Sequence, residues 1–150
     1  MNLENLFSFF QQNQTILVVI GLVMVGTIVI NIIRARKMKN AGNQFILEHP
    51  DAAKVYLTVK ALITSESVTV HLVDGEAPVL FTEKTKSGFY VIPGNRTVDV
   101  SYTYSRPGVM YKSVTETYGP STKELIIKAN KNYLLGFDKK NQSFTFDEIN

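Results

Sequence analysis

Thr97-Val-Asp-Val-Ser-Tyr-Thr-Tyr104 alternates apolar and polar side chains without a break. Successive side chains of a strand point to opposite faces. Val98, Val100, Tyr102 and Tyr104 therefore share an inward face, and Thr97, Asp99, Ser101 and Thr103 an outward one. A strand of this kind is half-buried against a core.

The pattern repeats on either side. In Ser67-Val-Thr-Val-His-Leu72 the residues Val68, Val70 and Leu72 fall together, with Thr69 and His71 opposite. Val55, Leu57, Val59, Ala61 and Ile63 make one more face. Further strands are expected at Phe89–Ile92, Val109–Tyr118, Lys123–Lys128, Tyr133–Phe137 and Ser143–Phe146. The punctuation between them is Asp74-Gly75, Pro93-Gly94, Arg106-Pro107-Gly108, Gly119-Pro120, Asn130-Lys131-Asn132 and Asp138-Lys139-Lys140-Asn141. Gly, Pro, Asn and Asp at these places suit the turns of hairpins. Eight or nine short strands at regular spacing predict a small antiparallel β-sandwich over residues 54–150.

Upstream the composition changes. Thr15-Ile-Leu-Val-Val-Ile-Gly-Leu-Val-Met-Val-Gly-Thr-Ile-Val-Ile-Asn-Ile-Ile33 carries no charge. As a helix it spans roughly 28 Å, close to the hydrocarbon thickness of a bilayer. A run apolar all round exceeds what one small domain buries, which argues against a core helix. A cleaved signal peptide needs a basic start and a small-residue cleavage site. Here no Lys or Arg precedes the run, and Arg34-Ala-Arg-Lys37 follows it. The reading is an uncleaved transmembrane helix over 15–33, after an N-terminal tail over 1–14. Leu3, Leu6, Phe7 and Phe10 in that tail fall at helical spacing and suit the membrane interface. Gly21 and Gly26 lack the four-residue spacing of a dimer seam.

Charge sets the orientation. Among 150 residues there are 16 Lys+Arg and 13 Asp+Glu, for a net charge of +3. Beyond Ala41 acids and bases balance, so the excess is Arg34, Arg36, Lys37 and Lys39, offset by Glu4. One cluster beside an apolar run is no nucleic-acid footprint. Basic residues flanking a span favour the cytoplasmic side. The N-terminus is thus expected outside and the β-domain in the cytoplasm, joined by a basic juxtamembrane linker over 34–53. Asn40-Ala-Gly-Asn43 reads as a flexible joint, Gln44–Glu48 as a turn of helix, and His49-Pro50 as its stop.

Chemistry-bearing motifs are few. Without cysteine there are no disulfides, thiolate metal sites or cysteine nucleophiles. No phosphate-binding loop, zinc-protease or hydrolase motif occurs. His71 with Asp74 and Glu76 could be drawn as a metal site, but the spacing is unspecific and a solvated turn is the simpler reading. No cofactor is implied. The strand aromatics read as packing, with Tyr90, Tyr111 and Tyr118 as the candidate partner-binding face, since tyrosine joins apolar area to a hydroxyl.

The strand at Val70–Val73, the Asp74-Gly75 turn, and Gly88-Phe-Tyr-Val-Ile-Pro-Gly94 leading into an alternating strand resemble the small PEGA-like, transthyretin-like β-sandwich modules. Asp74-Gly75-Glu76-Ala77 stands near the place of that family's Pro-Glu-Gly-Ala tetrapeptide. The resemblance covers Val68 to Phe137 and implies a non-catalytic attachment or interaction module. Expected partners are the lipid bilayer and another membrane protein or a second copy of the chain. Two alternatives stay open: an inverted topology with the domain in the cell envelope or at the surface, and a membrane-tethered small-ligand binder.

Overall fold

The computed structural model describes residues 14–61, 64–108 and 112–149. Tyr111, Ile63 and the tail residues Leu3, Leu6, Phe7 and Phe10 lie outside them. Among the described residues one helix, α1 (Gln14–Glu48), precedes nine strands: β1 (Ala53–Leu57), β2 (Val59–Ala61), β3 (Ser65–Val73), β4 (Val79–Glu83), β5 (Lys86–Val91), β6 (Gly94–Arg106), β7 (Val114–Ile127), β8 (Asn132–Asp138) and β9 (Ser143–Ile149). The chain divides into two units, Met1–Lys37 and Met38–Asn150.

In the first unit, α1 is apolar on every side. Leu22, Val25, Ile28 and Ile33 are all exposed, and no residue of the most apolar window is buried in the protein. By length and composition Val18–Glu48 can cross a membrane.

In the second unit, the strands form two sheets. One has the order β4-β5-β1-β8-β9 and the other β2-β3-β6-β7. After β1 the chain proceeds in hairpins placed alternately in the two sheets: β2–β3, β4–β5, β6–β7, β8–β9. All pairings are antiparallel except β1 with β8, which is parallel. The core between the sheets holds Val55, Phe89 and Leu135 from the first and Val98, Val100 and Tyr102 from the second. The inward face expected of Thr97–Tyr104 is thus observed, and the helix-plus-β-sandwich class with it.

Several connections differ from the sequence reading. Val55 to Ala61 is not one strand. It leaves the first sheet for the second at Thr58, whose N–H donates to Leu135 O in one sheet while its carbonyl accepts from Val68 N–H in the other. Asp74-Gly75 is a tight turn with positive φ at both residues. Yet it leads from β3 across to β4 in the opposite sheet, as Pro93-Gly94 leads from β5 to β6. Gly119-Pro120 ends no strand: β7 runs through it with a bulge where the register shifts opposite Val100 and Tyr102. Turn residues mark where a chain bends; they do not say which sheet the next strand joins.

The expected joint is also different. Residues 40–43 are helical, and α1 ends at Glu48, where Pro50 has no N–H to continue it. Gly42 is buried and packs against Tyr90, and Gln44 donates to Glu48 one turn on. Docking supplies what propensity alone does not. Residues 38–53, read as linker, belong with the β-domain.

Candidate functional site

The first sheet carries aromatic side chains on its outer face as well as its inner one. Cross-strand partners share a face. The pairs Val79↔Tyr90, Phe81↔Gly88, Lys54↔Tyr90 and Tyr56↔Gly88 therefore bring Phe81, Tyr90, Lys54 and Tyr56 together outside the core. Gly88 makes this possible: a Cβ there would run into the Val55 carbonyl and come within 2.7 Å of the Phe81 ring. Phe81 lies over the gap and is only 7% exposed.

The end of α1 closes over this face. Gly42, Phe45 and His49 recur at i, i+3 and i+7, one helical stripe. Phe45 stacks on Tyr90 at 6.1 Å, and His49 meets Phe45 at a tilt, 4.9 Å between centroids. Tyr90 meets Phe81 at 4.7 Å, and Phe81 meets Tyr56 edge-on at 5.3 Å. Five rings form a continuous ribbon. At its Tyr56 end Lys54 pairs with Glu83, which also accepts from Tyr56 Oη at 2.8 Å. The hydrogen bond from Lys54 holds the Glu83 carboxyl below its usual range, and the same bond raises Lys54. Burial pushes the Tyr56 hydroxyl up, and its bond to Glu83 adds to that.

Beside Tyr90 the surface opens into a cleft of about 300 Å³. Phe45 and Tyr90 contribute aromatic walls, Val79 and Ile92 aliphatic ones, and Asp74, Glu76 and Arg96 the polar groups. Arg96 is the fastener of this end of the sandwich. Its Nε donates to Ile92 O at 2.9 Å, Nη2 to Pro93 O at 2.9 Å and Nη1 to Asp74 Oδ2 at 3.0 Å. Asp74 Oδ1 accepts from the Thr97 N–H at 2.9 Å. One side chain thus ties the crossing after β5 to the turn after β3.

The residues singled out from sequence separate in space. Tyr90 lies in this cleft, half-buried. Tyr118 faces the opposite way from a face shared with Tyr90: it packs against Phe137 at 5.2 Å, on the core side of the second sheet. The two do not share a surface, because each sheet assigns its face independently. Arg34, Arg36, Lys37 and Lys39 are exposed along α1. His71 bonds Ser101 Oγ at 2.8 Å while Asp74 is bound to Arg96, so the drawn metal set does not assemble. Among the described residues no three His, Asp or Glu side chains gather as metal ligands. Phe45, Phe81, Tyr56 and Arg96 went unread in sequence. The Gly42, Phe45, His49 spacing was a signal for the first; the others required the register.

Comparison with family models, curated proteins and solved structures gives no match. The geometry is therefore what bears on function: a preformed cleft with aromatic walls, formed by a helix end docked on a sheet.

Proposed function

We propose that the chain is a single-pass membrane protein whose β-sandwich is a non-catalytic interaction module held at the cytoplasmic surface. The observation that carries this reading is the exposed apolar length of α1 followed directly by Arg34, Arg36, Lys37 and Lys39. The cations favour the cytoplasmic side, and each adds about 1 kcal/mol of attraction to an anionic leaflet. Tethering raises the effective concentration of the domain toward other membrane proteins without any new contact. The cleft at Tyr90 is the contact surface, by its aromatic and aliphatic walls. A non-catalytic role fits the polar groups there, since Arg96 and Asp74 are spent on one another and on backbone groups.

Protease added to sealed cells tests the orientation: the β-domain survives until lysis. Cleavage without lysis overturns it and places the module outside. Capture of membrane partners from detergent extract tests the role. The full chain retains a partner that the Tyr90→Ala variant loses; equal capture by both removes the cleft from the reading, and recovery of the intact chain in the soluble fraction removes the anchor.

A further inference from the structure

The cleft beside Tyr90 has one sign of charge to spare. Its cation is committed, because Arg96 places three donors on Ile92 O, Pro93 O and Asp74. Asp74 is committed in return, to Arg96 and the Thr97 N–H. The Glu76 carboxylate lines the same cavity and has no ion pair or hydrogen bond among the described residues.

The facing wall adds to this. Phe45 sits in the last turn of α1, which contains no basic residue. Pro50 has no N–H to offer the Ile46 carbonyl, so that end of the helix keeps its unpaired acceptors. A helix C-terminus carries about half a negative elementary charge. Phe45 and Tyr90 line the cleft with aromatic rings, a kind of wall that suits a cation as well as an alkyl stem. Against Glu76 there stands no uncommitted cation among the described residues of the lining.

We infer that the cleft binds an alkylammonium or alkylguanidinium group, its head toward Glu76 and its stem along Tyr90 and Val79. The volume of about 300 Å³ is at the small end of ligand sites. It accommodates a four-carbon stem with a charged head. A free amine and a lysine or arginine of a protein partner offer the same chemistry. The inference concerns the β-domain alone and stands whether or not the membrane topology does.

The test is a titration of the full chain in lipid nanodiscs, following the NMR signals of Ala77, Val79 and Ile92. The probes are n-butylammonium, n-butylguanidinium and neutral 1-butanol. The two cations shift these signals saturably, added salt weakens them, and butanol does neither. Glu76→Gln weakens the cations by about fivefold, as expected for one partly exposed charge contact. A lysine tripeptide binding more tightly than butylammonium assigns the site to a protein side chain; tighter binding of the free amine assigns it to a small ligand. Equal shifts by butanol and butylammonium, insensitivity to salt, or an unchanged affinity in Glu76→Gln overturns the inference.

Discussion

The two outer faces of the sandwich are built on the same alternation and end differently. On the five-stranded sheet the outward positions include Phe81, Tyr90 and Tyr56, and the end of α1 meets that face at Tyr90. On the four-stranded sheet most are hydroxyls, with Val59, Leu72 and Ile126 as scattered apolar exceptions. Ser67, Thr103 and Thr117 stand in one row across β3, β6 and β7, and Ser65, Ser105 and Thr115 in the next. Ser105 bonds Thr115 at 2.7 Å, and Thr122 donates to Asp99 at 2.6 Å. Threonine suits a strand and satisfies its hydroxyl in water, so that face needs no cover. Aromatic rings left open would cost the burial they can gain, roughly 25 cal/mol per Å² of apolar surface. The choice of side chain at alternate positions therefore decides where a second layer is required.

Substitution on the two faces should divide them sharply. Phe81→Ala removes a buried ring from the covered face, at a cost of about 3 kcal/mol in denaturant unfolding of the β-domain. Thr117→Ala on the open face should stay within about 0.5 kcal/mol. Similar losses from both would mean that the aromatic face is packed no better than the hydroxyl one.

The docking itself can be broken next. The Gly42 Cα region lies tight against Tyr90: even a Cβ would come within 3.2 Å of its ring. Gly42→Leu gains about 0.8 kcal/mol of helix propensity and loses about 2 kcal/mol to overpacking. A net loss of about 1 kcal/mol is expected, with new protease cleavage near Pro50. A more stable variant would show that Gly42 makes no working contact.

The smallest effect sharpens the comparison through pH. Glu83 has its folded pKa held below the usual 4.5 by Lys54. Its contribution is complete above the ordinary carboxylate value and is lost as pH falls through the depressed one. Glu83 is 43% exposed, so this is under about 1 kcal/mol. Glu83→Gln should flatten that part of the acid limb in pH-dependent unfolding, whereas Thr122→Ala, on the hydroxyl face, should leave it unchanged.

How much of this was legible beforehand follows from what each feature depends on. The inward face of β6 is local: Val98, Val100 and Tyr102 announce it by their spacing, and so does the apolar run of α1 by its length. The partition of strands between sheets is not local. Asp74-Gly75 looks the same whether the next strand returns beside β3 or crosses over, and only long-range pairing decides. Ser101, read as outward, is 7% exposed, and its hydroxyl is bonded to His71, the extra residue of a bulge in β3. The cleft was legible through Tyr90 alone. Its other parts come from residues 45, 76 and 96, which no periodicity connects.

The bulge at Gly119-Pro120 has a consequence for crowding. Under the proposed anchoring, copies would diffuse in a plane and collide more often than free ones. β7 ends its sheet with fourteen residues that have no neighbouring strand on their outer side among the described residues. Left straight, that margin would be a template along which two molecules could zip together, then many. The kink, with a proline that has no amide proton to give, cuts the template into two runs of about one strand's ordinary length each. An edge broken in this way is a poorer template for pairing between copies than a straight one of the same length.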